Sequence, residues 1–576
     1  MNYRKAIIAL ASMLALTACH DFAELNTNPY QPPYNPGSSA TDVNPEGIDI
    51  DYKISKDDSI TLQKNEANLG TLFRNMTNEG AYNDYQVTTN LTHDTYAGFM
   101  ANTDMGFHYR SCTYVYYDDW SKNRWNHFYN DRSAAEYAQI IRICHFVNPE
   151  KYHNEYYVAR IYYAFLISMQ TDTYGDIPLQ YYVKGALPPS QNVNYTKQAD
   201  VYDAMFKLLD QALTNINPAK GLDFGSTSAG SNDRCYGNDL NKWLRFANTL
   251  RLRLALRISN VNPARAKEEA EKAIGNAYGL MKDNGDNMRT VPKFASLALG
   301  GEGGGGSENI HALIFNWGAT MVMSKDMEVA YKNESNALDP RCKRLWWRPS
   351  PYEELKVAKE STKDFAGCPI GDISINGSDA TKTYSPVRCN PLVQDDKNNL
   401  FDDYWFTYAR ELVWMSYAES RFMLAEAALR GWNAGGTVDD FYRQGIQASM
   451  DYYHISAADA QEYLDGLKNE QALTGGDKEA ALKEIITQKW LAIFPNGNEG
   501  WAEFRRTDYP ELLNIVENNS DGDVPEGKFI KRIKYPQSET FNPNRPVSNN
   551  QGTRVWWDVS DTNDDNGLRL KPNNFR

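Results

Sequence analysis

The sequence predicts a mostly α-helical protein in which stacked helix pairs are interrupted by one long loop-rich section. Three observations predict it. Between Glu155 and Met169 two apolar stripes run side by side, Tyr156, Ala159, Tyr163 and Leu166 beside Val158, Tyr162, Phe165 and Met169. Spacings of three and four put each set on one helix face, and two adjacent apolar faces mean a helix covered on both sides. A second two-striped run spans Glu411–Arg430. Between about residues 276 and 410 the periodicity fades into glycines, prolines and scattered aromatics.

The elements follow in order. The chain opens with Arg4 and Lys5, then an apolar stretch Ala6–Leu16 that is too short to span a bilayer. Leu16-Thr17-Ala18-Cys19 is the pattern of a bacterial lipoprotein cleavage site. Residues 1–18 read as a signal peptide and Cys19 as the acylated new N-terminus. At ~0.8 kcal/mol per buried methylene, two or more acyl chains hold a protein at a membrane essentially permanently. Residues 19–44, with Pro29, Pro32, Pro33 and Pro36, read as an extended linker. One folded domain is expected over 45–576, with helices over about 61–275 and 411–510, a loop-rich lobe over 276–410 and an irregular segment over 511–576.

Within the helical parts, the Glu155 helix is expected to stop before Thr171-Asp172-Thr173-Tyr174-Gly175-Asp176-Ile177-Pro178, where glycine and proline force a turn. Further helices carry Val201, Met205, Leu208 and Ala212, then Trp243, Ala247, Leu250 and Leu254. The last of these places Arg245, Arg251, Arg253 and Arg257 at its other positions, as an amphipathic scaffold helix does. Gly431 reads as a helix stop. Helices are also expected over Val438–Tyr453 and along Leu482, Ile486, Trp490 and Ile493, with loop after Pro510.

Composition narrows the function. Formal net charge is −14, and losing Arg4 and Lys5 with the signal peptide makes it −16. Such a surface repels a phosphate backbone and excludes nucleic acid as a natural partner. The 37 Tyr and 13 Trp are many for a soluble chain and suit a protein that binds sugars or peptides. Besides Cys19 there are Cys112, Cys144, Cys235, Cys342, Cys368 and Cys389. Six cysteines allow 15 pairings that sequence cannot choose among, and their wide spacing favours buried free thiols.

With these pieces in place the sequence resembles the SusD/RagB family of outer-membrane lipoproteins. The resemblance rests on the lipoprotein cleavage site, Leu25-Asn26-Thr27-Asn28-Pro29, the Thr171–Pro178 string, and Trp243-Leu244-Arg245-Phe246-Ala247-Asn248-Thr249-Leu250-Arg251-Leu252-Arg253. It continues through Tyr417-Ala418-Glu419, Leu424-Ala425-Glu426-Ala427, Gln488-Lys489-Trp490-Leu491-Ala492 and Gly500-Trp501-Ala502-Glu503-Phe504-Arg505-Arg506-Thr507. The resemblance implies tetratricopeptide-like helix pairs supporting a loop-rich ligand face. It also implies a place on the outer leaflet, capping a SusC-like TonB-dependent transporter to which captured glycans, or in some members peptides, are delivered. It implies no catalysis and no cofactor. Outward display comes from the family rather than from Cys19-His20-Asp21-Phe22-Ala23-Glu24, where the acidic export signal is only partly present.

Capturing a sugar needs flat rings for its C–H faces and amides or carboxylates for its hydroxyls. The candidates are Trp346 and Trp347, adjacent in the irregular section, and Trp317 beside Asn316. Tyr82, Tyr85, Tyr96 and Phe99 flank Asn90, His93, Asp94 and Asn102, a mixture of rings and polar groups that suits a polar ligand or a covered helix face. Asp172 and Asp176 read as a helix end with a fixed turn, with Arg505 and Arg506 as structural ion-pair partners for such carboxylates. A glycosidase would need two positioned carboxylates, and 74 acidic residues guarantee many chance pairs. No His-Glu-x-x-His metal motif, phosphate loop or Gly-x-Ser-x-Gly elbow occurs, so no metal is expected. The readings left open are glycan capture, peptide capture, a secreted glycosidase and a helical adaptor.

Overall fold

The structure, a computed structural model, describes residues 54–82, 85–104, 111–179, 193–228, 230–290, 319–355, 357, 359–374, 377–388, 411–468, 470–559 and 572–575. The signal peptide, Cys19, the linker, Trp317 and Cys389 lie outside the described residues. The main helices are α1 (Leu69–Glu79), α2 (Asp118–Asn126), α3 (Ala134–Phe146), α4 (His153–Tyr174), α5 (Gln198–Asn215), α6 (Leu240–Arg257) and α7 (Pro263–Ile274). After the middle section come α8 (Lys325–Asn333), α9 (Tyr417–Leu429), α10 (Val438–Tyr452), α11 (Lys478–Ile493) and α12 (Gly497–Thr507). Four short strands matter below: β1 (Met100–Asn102), β2 (Met288–Thr290), β3 (Met321–Met323) and β4 (Leu412–Met415). The molecule is mostly helical.

Helix α4 carries both stripes and is buried at every position from Val158 to Tyr174. It packs on α3 and α5, and the sequence neighbours α6 and α7, and α9 and α10, pair in the same way. Two details depart from the sequence expectation. First, α4 runs through Thr171–Tyr174 and ends only at Gly175, whose φ of 85° lies in the region that favours glycine. Second, the run expected as one helix from Glu411 begins as β4, which pairs antiparallel with β2, Thr290 opposite Leu412. Trp414, inside that run, therefore sits in a strand and donates its Nε1–H to Thr290 at 2.8 Å. Ser416 then caps α9 by accepting from the Glu419 N–H.

Helix α6 is covered on both sides, so its arginines are not solvated as an amphipathic helix would have them. Arg251, Arg253 and Arg257 are all buried. Arg253 pairs with Glu419 at 2.5 Å, and Arg257 reaches Glu499 at 2.6 Å, Glu503 at 2.5 Å and Asp172 at 3.3 Å. Lys489 lies 3.4, 3.1 and 3.1 Å from Glu419, Glu499 and Glu503, and Arg506 lies 2.7 and 2.8 Å from Glu426 and Glu503. Strings far apart in sequence thus meet in one buried ion cluster that joins α4, α6, α9, α11 and α12. Burial alone would raise the Glu503 carboxyl, but Arg506, Lys489 and Arg257 hold it well below the usual range. Cys112, Cys144, Cys235, Cys342 and Cys368 are buried free thiols, as the spacing suggested.

Candidate functional site

The loop-rich lobe is organised by a small β layer. β1 pairs antiparallel with β3, Met100 opposite Met323 and Asn102 opposite Met321. Val322 bridges to Pro386, and Val387 bridges to Trp346. One end of this layer forms a polar rim. Thr103 donates both its N–H and its hydroxyl to the Thr320 carbonyl, at 2.8 and 2.9 Å, and the Gly377 N–H reaches the Thr103 carbonyl at 2.7 Å. The Asn102 side chain accepts the Asp104 N–H at 2.9 Å, a local turn that fixes the chain as it leaves β1. Nearby, Asp372 accepts from Ser374 at 2.6 Å and from Tyr384 at 3.4 Å.

Of the rings and polar groups singled out from the sequence, those that the structure describes are buried. Trp346 and Trp347, the adjacent candidates for ligand contact, are 0% and 3% exposed, so both belong to the interior. The bridge to Val387 turns the Trp346 ring inward, against Phe494 at 5.2 Å, with its Nε1–H directed at Tyr331 at 3.3 Å. Trp347 is roofed by the Arg388 guanidinium, 4.6 Å from its ring centre.

Tyr82, Tyr85 and Asp94 come together, but in the interior. Tyr85 meets Tyr82 edge-on at 6.2 Å and donates to Asp94 at 2.8 Å. Asp94 also accepts from Asn90 at 3.0 Å and from the Gly497 N–H at 3.0 Å, so it satisfies the first donor of α12. Burial pushes the Asp94 carboxyl up to about 7, against the opposing pull of Asn90, Tyr85, Gly497 and Arg124. Tyr96, 7% exposed, lies against Trp501 at 5.3 Å. Asn102 is buried too, but belongs to the rim through its turn with Asp104. Trp317 lies outside the described residues.

The Thr171–Pro178 string is structural. Asp172 accepts from Tyr202 at 2.6 Å and Trp557 at 2.9 Å, and Asp176 takes Lys197 and the Gln198 N–H at the start of α5. Arg505 donates to the backbone carbonyl of Asp172 at 2.7 Å, whereas Arg506 pairs with Glu426 and Glu503. Sequence reading missed Thr103, Asp104, Thr320 and Gly377. The signal for the first two was the polar Asn102-Thr103-Asp104 directly after apolar Met100-Ala101. Among the described residues no cluster of His, Cys, Asp or Glu could hold a metal ion, and no helix is long and apolar enough to cross a membrane.

A helix-pair scaffold locked by buried ions defines the class. The chain belongs to the SusD-like family: a family model described as "Starch-binding associating with outer membrane" matches residues 61–536. Among solved structures it is similar to a chitin-binding SusD homologue from Flavobacterium johnsoniae, at 28% identity and a TM-score of 0.66, over 87% of this chain and 99% of that one. A SusD homologue from Bacteroides uniformis is 26% identical with a TM-score of 0.68, over 85% and 99% of the two chains. One from Bacteroides vulgatus is 25% identical with a TM-score of 0.67, over 88% and 100%. A search of the curated proteins returned no match.

Proposed function

We propose that this protein is a non-catalytic, lipid-anchored glycan-binding protein of the cell surface that delivers oligosaccharide to a SusC-like TonB-dependent transporter. The observation that carries the reading is the likeness to the chitin-binding homologue over 99% of that protein's length. The family's description, starch-binding and associated with the outer membrane, supports the same ligand class and place. The anchor is Cys19. The ligand meets the rim at Asp104, a half-buried carboxylate suited to sugar hydroxyls, which buried Asn102, Thr103 and Thr320 hold in place. Trp317 is the candidate stacking ring. Trp346, Trp347, Tyr82, Tyr85, Tyr96 and Asp94 support the rim from beneath rather than touch the ligand.

The test is native affinity electrophoresis of the mature chain carrying Cys19→Ala through gels containing starch, soluble chitin derivatives and other polysaccharides, with product analysis alongside. Retardation by a glycan without cleavage is expected, and Asp104→Ala should weaken it. Cleavage would overturn the reading, and indifference to every glycan would move it to peptides.

A further inference from the structure

Beside α4 lies a small cavity that the glycan reading does not use. Thr88, Arg124, His127, Phe128, Met169 and Gln170 line it, and the centre of a water-sized guest has about 10 Å³ in which to move. That is room for one small particle. Two of its side chains are out of balance. Gln170 is 1% exposed, and neither its Oε1 nor its Nε2 has a hydrogen-bond partner. A buried carboxamide left so is costly. Arg124 is also buried, and its guanidinium donates only to neutral groups: the Thr88 carbonyl from Nε at 3.2 Å and Nη2 at 2.9 Å, and the Thr89 hydroxyl at 3.4 Å.

A buried cation normally faces a carboxylate. Here the carboxylate whose charge reaches Arg124 is Asp94, and Tyr85, Asn90 and the Gly497 N–H already occupy its oxygens. Burial also raises Asp94 to about 7, so near neutral pH it carries only part of a charge. His127, on the cavity wall, directs its Nε2–H to the Glu79 carbonyl.

We propose that this cavity binds one small inorganic monoanion, chloride in size and charge, between the Arg124 guanidinium and the Gln170 carboxamide. The anion supplies the missing counter-charge and accepts from the Gln170 Nε2–H, which is committed to nothing else. A water molecule would satisfy the amide but leave the guanidinium uncompensated. Met169 lines the cavity, and its flexible thioether gives the few tenths of an ångström by which chloride exceeds water. The bound ion ties α2 and α4 to the helical segment Gln86–Asp94, which precedes β1, and so stiffens the chain that leads into the rim.

The test uses the mature Cys19→Ala chain at constant ionic strength, with sodium chloride or bromide replacing sodium gluconate. The thermal midpoint should rise with halide and saturate, and Gln170→Leu should weaken the apparent halide affinity at least tenfold. Crystals grown in bromide should show an anomalous peak within hydrogen-bond distance of Arg124 and Gln170 Nε2. Water density without an anomalous peak would overturn the proposal. So would a wild-type midpoint indifferent to halide, a peak without stabilisation (an adventitious ion only), or an undiminished response in Gln170→Leu.

Discussion

Trp346 joins the lobe to the scaffold, and its cost of removal follows from what it touches. Its ring fills space against Phe494, its Nε1–H is directed at Tyr331, and its backbone bridges to Val387. Truncation to alanine leaves a ring-sized void among neighbours that cannot collapse into it, at a cost of about 3–5 kcal/mol. Urea unfolding of Trp346→Ala should show a lower midpoint with an unchanged slope, while glycan affinity of the folded fraction stays at the wild-type value. Lost affinity with intact stability would instead place the ring on the ligand. The residue also shows why the candidate site was only partly legible. Nothing near Trp346 in sequence announces its burial; the bridge that turns it inward comes from Val387, some 40 residues away. The Asn102 turn, by contrast, is local, and a polar run after an apolar pair signals it.

At the scale of elements, the pair α9 and α10 depends on a close approach at Gly445. A Cβ there would lie 2.7–2.8 Å from three atoms of the Phe422 ring, closer than atoms can pack. Gly445→Ala should therefore destabilise by about 1–3 kcal/mol despite alanine's better helix propensity. Phe422→Leu in the same chain should give back part of that loss, which a thermal-unfolding double-mutant cycle reads as a non-additive pair. Additive effects would mean the two helices separate instead of clashing. Helices of this kind were legible because period and burial agree: the double stripe of α4 is a local pattern that tertiary contacts only confirm. Its end was misplaced because a glycine four residues beyond Thr171, not the polar string itself, sets it. The strand β4 was missed for a different reason. Its partner β2 lies more than 100 residues away, so no local periodicity distinguishes Leu412–Met415 from the helix that follows.

At the scale of the whole molecule, the buried ion cluster ties the helices before the lobe to those after it. Asp172 and Arg257 come from the first part, and Glu419, Glu426, Lys489, Glu503 and Arg506 from the second. Glu503 holds three cations, Arg257 at 2.5 Å, Arg506 at 2.8 Å and Lys489 at 3.1 Å. Taking away its charge leaves those cations under-compensated away from water, so Glu503→Gln should cost about 3–5 kcal/mol at neutral pH. The sign with pH follows from the depressed carboxyl. The unfolded chain binds a proton near the ordinary glutamate value of about 4.3, while folded Glu503 resists it. Its contribution is therefore full above that value and is lost as pH falls toward the low folded pKa. Urea unfolding of wild type and Glu503→Gln from pH 7 down to pH 3 should show a wide gap that narrows only below about pH 4.3, with wild type falling more steeply there. The gap at pH 7 should also survive 1 M salt, because buried charges are screened far less than exposed ones. Parallel curves across the whole range would mean that Glu503 stabilises the fold by its shape and hydrogen bonds, and that its charge does not hold the two parts of the scaffold together.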